Sequence, residues 1–153
     1  MEAQVKLMNL ETKVFFTGMV DYKEIPAYLA SSDIFVTPSS AETFGLSTVE
    51  AMAAGLPALG IDAPGTTDII EDGVTGLITT DDLAVFTAKL VLLSTNHELR
   101  RVMGKQAIQA SKKYDIQTTT SLLLQHYQVL VDKARRRRKS PYIKLTRLLD
   151  RFQ

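Results

Sequence analysis

Apolar positions along the chain fall into short runs separated by stretches of helical period. Val14-Phe15-Phe16-Thr17 is a β-rich run closed by Gly18, and Asp33-Ile34-Phe35-Val36-Thr37 is a second, stopped by Pro38. Pro57 to Ile61 and Gly76-Leu77-Ile78-Thr79 supply a third and a fourth. Between them the spacing becomes helical. Ile25, Tyr28 and Leu29 share one stripe within Glu24 to Ser31, a helix is predicted from about Gly45 to Ala54, and a short one from Thr67 to Glu71. Residues 2–9 read as the end of a helix, and three longer helices follow at 82–95, 97–113 and 116–138. Short apolar strands alternating with helices, with no hairpin signal, predict an α/β fold. The expected architecture is a Rossmann-like, doubly wound parallel sheet with a C-terminal helical extension.

Composition narrows the chemistry. With 153 residues, 45% of them hydrophobic and 23% charged, the chain is long enough for one domain with a buried core. It has no cysteine, which excludes disulfides, thiolate metal sites and a cysteine nucleophile. No apolar run reaches the ~18 residues of a membrane span. The opening stretch MEAQVKLMNLE contains acidic residues and no long apolar core, unlike a signal peptide.

The net charge of +1 hides a division. Residues 1–132 hold 9 Lys/Arg against 16 Asp/Glu, whereas residues 133–153 hold 9 Lys/Arg against a single Asp. Two units are therefore expected: a ligand-binding Rossmann-like domain at 1–132 and a basic amphipathic tail at 133–153. The acidic body repels nucleic acid, and the tail suits an anionic surface.

In a parallel sheet of this kind, ligands bind beyond the carboxyl ends of the strands, where loops lead into helix starts. Three loops qualify: Gly18-Met19-Val20, Ser39 to Leu46, and Asp62 to Thr67. The middle loop is the richest. Gly45 lets the backbone approach a ligand, and free amides at the helix start favour a phosphate. Two carboxylates flank it, Glu42 in the loop and Glu50 inside the helix. Ser47-Thr48-Val49-Glu50 also fits a capping box, in which Glu50 turns back onto its own helix start. Glu42 precedes the helix and is expected to point into the crevice. A glycosidase-like carboxylate pair fits poorly, since eight partly helical residues at ~1.5 Å each set the groups ~12 Å apart.

The blocks DIFVTPSSAETFGLSTVEAMAAGLPALG and DIIEDGVTGLI, in that order, resemble the nucleotide-sugar half of retaining GT-B glycosyltransferases, the class called glycosyltransferase group 1. The resemblance covers about residues 13–113. It implies that Glu42 accepts hydrogen bonds from hydroxyls of the donor sugar, while the backbone amides of Phe44, Gly45 and Leu46 hold the sugar and diphosphate. It also implies that Glu50 grips the ribose hydroxyls, a role suited to an acceptor-only carboxylate. Gly18, Met19 and Val20 match the loop bordering the base, beside which Tyr22 is available to stack. Pro64, Gly65 and Thr66 match the loop near the sugar, although APGTTD departs from the commoner GG-x-P-E.

Two family features are missing. The G-R-x-x-x-x-K stretch that neutralises the departing diphosphate is absent, and so is the acceptor-binding N-terminal domain. The chain is therefore expected to be a fragment, a split gene product or an isolated domain, inactive in transfer without an N-terminal domain or a separate subunit. No D-x-D motif is present, in keeping with the metal-independent chemistry of the family it resembles, so no metal and no cofactor beyond the nucleoside-diphosphate sugar substrate are expected.

The tail KARRRRKSPYIKLTRLLDRFQ ends a helix with cations and breaks at Ser140-Pro141. Tyr142, Leu145, Leu148, Leu149 and Phe152 then recur at helical spacing. One reading packs this helix on the absent domain. The other lays it on anionic lipid through Arg135, Arg136, Arg137, Arg138 and Lys139, which implies a cytoplasmic protein peripheral on the inner membrane face. The arginine run lacks the interleaved aromatics of a nucleic-acid arm. His97 and His126 have no metal-like partner nearby in sequence, and Met8, Met52 and Met103 read as core fillers. Two other functions remain compatible with these residues: a non-catalytic nucleotide-sugar-binding or partner module, and a membrane-associated interaction domain.

Overall fold

The computed structural model describes residues 1–139. Three strands form one parallel sheet in the order β1 (Phe35–Thr37), β2 (Ala58–Ile61), β3 (Gly76–Thr79). Helix α1 (Glu2–Leu7) opens the chain, and α2 (Ile25–Ala30) leads into β1. Helix α3 (Leu46–Ala53) connects β1 to β2, and α4 (Leu83–Thr95) and α5 (His97–Ser111) follow β3. A 3-10 turn at Lys112–Tyr114 then passes into α6 (Ile116–Lys139).

β2 is the central strand and all four of its residues are buried, as a parallel strand covered on both faces must be. Register pairs Leu59 with Leu77, so both point to one face, where they pack with Leu93 of α4 and Met103 of α5. Ile34, Phe86, Leu90 and Leu99 close around that cluster. Successive strand residues alternate in direction. Gly60 therefore faces the other way, and Thr66 and Ile70 lie against it. A second cluster joins Met52 of α3 to Ile69 and Ala107, with Val49, Ala110 and Tyr114 at its edge.

Helix ends are fixed by local chemistry. Asp82 caps α4, accepting from the amides of Ala84 (2.8 Å) and Val85 (3.0 Å), and Asn96 caps α5 through the Leu99 amide (2.9 Å). Arg100 donates to the carbonyls of Leu93 (2.7 Å) and Ser94 (2.8 Å), satisfying the end of α4 from the next helix.

Two expected elements take other forms. Val14 to Thr17 joins no ladder among the described residues, and Phe15 and Phe16 stay exposed. A strand is a property of a pair, and β-rich composition without a neighbour does not make one. Thr67 to Glu71 belongs to consecutive turns rather than a helix. Thr66 and Thr67 donate to Ala63, and Ile69 and Ile70 donate to Thr66. The chain is then drawn back into the sheet by the Asp72–Gly76 bridge.

Helix α6 runs 24 residues, about 36 Å at 1.5 Å per residue. The charge boundary at residue 132 falls inside it, so it marks a change of composition within one helix. No described helix is long and apolar enough to cross a membrane.

Candidate functional site

The loops after β1 and β2 leave adjacent parallel strands at their carboxyl ends, and they touch. Gly65, at φ +83°, lies so close to the first loop that a Cβ there would stand 2.4 Å from the Glu42 carbonyl oxygen. Only glycine serves, because both the left-handed backbone and the contact exclude a side chain. Gly45, at φ +67°, makes the turn from the first loop into α3. Gly65 and Thr66 are buried, whereas Pro64 is exposed. The Thr66 hydroxyl is buried and has no hydrogen-bond partner among the described residues.

The capping box does not form. α3 begins at Leu46 with Gly45 in the cap position, Ser47 lies inside the helix, and no side chain caps it. The left-handed Gly45 sets the start two residues ahead of the serine, and Glu50 is left a full turn away. Instead, Glu50 Oε1 accepts a hydrogen bond from the Tyr22 hydroxyl at 2.9 Å, across 28 residues of sequence. That contact raises the Tyr22 pKa above the ordinary tyrosine value, first through the hydrogen bond and then through the adjacent negative charge.

Glu42 behaves differently. Its Oε1 accepts from the backbone amides of Thr43 (3.1 Å) and Gly45 (3.0 Å), so half of the carboxylate folds onto its own loop. The Gly45 amide, expected to hold the sugar and diphosphate, donates to Glu42 in this structure. The Leu46 amide lies in the uncapped first turn of α3, which leaves it for a ligand. Phe44 is half exposed and meets Tyr114 edge-on, with ring centroids 5.9 Å apart.

Tyr114 went unnoticed in the sequence. Besides packing on Phe44, it donates its hydroxyl to the Asp68 carbonyl at 3.1 Å and borders the Met52 cluster. One side chain thus ties the first loop, the second loop and the end of α5 together. Nothing in a lone tyrosine after a lysine pair signals this, because each partner is more than 40 residues away.

Glu50 and Tyr22 line a cavity of about 450 Å³ between α2 and α3, walled by Ile25, Pro26, Leu29 and Ala53. They also border a wider groove of about 730 Å³ that runs past Val49 to Tyr114. The structure therefore joins the segment after Gly18-Met19-Val20 to Glu50, and joins Glu42 to Pro64-Gly65-Thr66. Gly18 is left-handed at φ +65° in open space, and Met19 is fully exposed. Arg135, Arg136 and Arg137 are exposed on α6, Arg138 and Lys139 complete that helix, and residues 140–153 lie outside the described part.

The left-handed Gly45 before α3 and the carboxylate of Glu50 one turn inside it thus stand at the carboxyl end of a parallel sheet, where α/β folds bind ligands. Comparison with known proteins agrees. Residues 1–110 match the profile of the family described as glycosyl transferases group 1, and the chain belongs to that family. It is 39% identical over 110 residues to sulfoquinovosyl transferase SQD2 of Arabidopsis thaliana, covering 69% of this chain and 22% of that protein. It is 32% identical over 124 residues to the phosphatidyl-myo-inositol mannosyltransferase of Mycobacterium leprae, covering 80% of this chain and 33% of that protein. Among solved structures, Anabaena HepE in complex with UDP and glucose superposes with a TM-score of 0.74 at 26% identity, over 84% of this chain and 35% of HepE. Sucrose-phosphate synthase from Thermosynechococcus elongatus gives a TM-score of 0.79 at 25% identity, over 86% and 34% of the two chains. The sheet and its flanking helices are those of GT-B glycosyltransferases. The chain spans a fifth to a third of the length of these curated relatives.

Proposed function

We propose that this chain is the donor-binding part of a retaining glycosyltransferase, holding a nucleoside-diphosphate sugar for transfer to a glycan or lipid acceptor of the cell envelope. The observation that carries the reading is Glu50. It is freed from its own helix start by Gly45, half-buried, and set at the mouth of a cavity with its Oε2 unpartnered among the described residues. A carboxylate there accepts from a ribose diol. The Phe44 and Leu46 amides hold the diphosphate, favoured by the positive end of the α3 dipole. Glu42 Oε2 takes a sugar hydroxyl, its Oε1 being committed to Thr43 and Gly45.

UDP and UDP-glucose are the first probes, because HepE is described in complex with both. Calorimetric titration should detect UDP binding, and Glu50→Gln should weaken it by about 1–3 kcal/mol, as for a hydrogen bond to a charged group. If Glu50→Gln lowers only the melting temperature, Glu50 is a structural residue and the reading fails. Transfer by the purified chain alone is not expected. The cations that stabilise a departing diphosphate without a metal, and the wall that binds an acceptor, would come from a partner domain or subunit.

The basic tail supports a peripheral place on the cytoplasmic membrane face, with Arg135 to Arg137 exposed at the end of a long helix. Each cation near an anionic bilayer contributes about 1 kcal/mol, screened by salt. Vesicle flotation should recover the full chain with anionic but not neutral lipid, less at high salt, and not after truncation beyond Asp132. Equal recovery of full and truncated chains would remove the tail from any membrane role.

A further inference from the structure

We propose that Tyr22 is a positioning residue for the nucleotide, its hydroxyl fixing one oxygen of Glu50 so that the other is held ready for the ribose hydroxyls; this rests on the reading of Glu50 given above. A glutamate has three rotatable bonds, and an exposed one samples many rotamers whose loss opposes binding. A single hydrogen bond from a rigid donor removes much of that freedom before the ligand arrives.

The backbone of Tyr22 is held locally, while its ring is exposed. Its backbone belongs to a turn in which Glu24 donates to the Asp21 carbonyl (2.9 Å), Ile25 donates to the Tyr22 carbonyl (3.3 Å), and the Asp21 side chain accepts from the Lys23 amide (2.9 Å). Pro26 then fixes the entry to α2. The phenol needs only two torsions to be set, and its hydroxyl lies 2.9 Å from Glu50 Oε1.

Lone-pair counting permits both partners at once. An ionised carboxylate offers about four acceptor positions, of which the tyrosine takes one, leaving Oε2 and the remaining position on Oε1 for the two donors of a vicinal diol. A tyrosine hydroxyl is protonated, and so donating, throughout the neutral range, and the Glu50 contact only raises its pKa further. The same two residues line the cavity between α2 and α3, so the pair stands where a ligand would meet it.

The test is a binding matrix for the whole chain with UDP and with its 2′,3′-dideoxy form, which lacks both ribose hydroxyls. Tyr22→Phe removes only the hydroxyl and should weaken UDP by about three- to tenfold, the cost of ordering one more side chain on binding. The dideoxy ligand should be unaffected. In the Glu50→Gln background, Tyr22→Phe should add no further loss. In ultraviolet difference titration, Glu50→Gln should bring the Tyr22 transition down toward the ordinary tyrosine range. Equal weakening of both ligands by Tyr22→Phe would mean that the hydroxyl acts other than through the ribose contact, a loss seen only with Tyr22→Ala would mean that the ring packs on the ligand, and either result would overturn the positioning role. If Glu50→Gln leaves UDP binding intact, the reading of Glu50 itself falls, a result separable from a failure of Tyr22 alone.

Discussion

Glu42 and Glu50 flank the same helix start, yet they are held in opposite ways. Glu42 folds back onto the amides of Thr43 and Gly45, within three residues of itself. Glu50 ignores its own helix start and is held by Tyr22, from a different element. The difference follows from Gly45. By beginning α3 in a left-handed conformation, it presents its own amide to Glu42 and sets the cap ahead of Ser47, which leaves Glu50 a full turn past the helix start. A self-contained loop can be rigid by itself. A carboxylate held across the fold depends on the relative placement of α2 and α3.

The first way to break this comparison is at Gly65. Gly65→Ala forces a side chain into a backbone conformation that costs about 1–3 kcal/mol, and drives its Cβ against the Glu42 carbonyl. Gly18→Ala carries the conformational cost alone, since that site is open. Urea unfolding should therefore show Gly65→Ala as much the more destabilised of the two. Equal losses would mean that the two site loops do not touch.

A smaller effect is expected at Tyr114. Tyr114→Phe keeps the edge contact with Phe44 but removes the bond to Asp68, and should cost about 0.5–1.5 kcal/mol in the same unfolding measurement. Loss of donor affinity without loss of stability would instead put the Tyr114 hydroxyl in contact with the ligand.

The smallest effect is a pH dependence. A tyrosine whose pKa is raised in the fold contributes its hydrogen bond at and below the ordinary tyrosine range, and loses it as pH rises through the raised value. Stability attributable to Tyr22 should accordingly be flat across neutral pH and fall only in the alkaline range, and Tyr22→Phe should lack that fall. A wild-type decline near neutral pH would have another source.

What the sequence made legible divides along the same line. Asp33 to Thr37, Pro57 to Ile61 and Gly76 to Thr79 were readable as strands because the apolar run and its Gly or Pro stop are local signals. Phe35–Thr37 was expected to be buried and is not, lying at the edge of the described sheet. The helices of the second half were readable from the sequence, while their caps, Asp82 and Asn96, came from the structure. Val14 to Thr17 was misread because a strand needs a partner that its composition does not specify. Ser47 to Glu50 carried the letters of a capping box, but the left-handed Gly45 decided where the helix began. The Tyr22–Glu50 and Tyr114–Asp68 bonds span 28 and 46 residues, and no local pattern announces either. Glu42 and Glu50 stood out from the loop and helix start themselves and their roles came through family resemblance, whereas the bonds that hold them came only from the fold.

The most direct test of the account is a crossed titration of Glu50→Gln and Glu42→Gln against UDP and UDP-glucose. Glu50→Gln should weaken both ligands by similar factors, because both carry the ribose. Glu42→Gln should leave UDP unchanged and weaken UDP-glucose, because only that ligand carries the sugar. If both variants bind both ligands as the unsubstituted chain does, the two carboxylates serve the fold alone and the donor-site reading is contradicted.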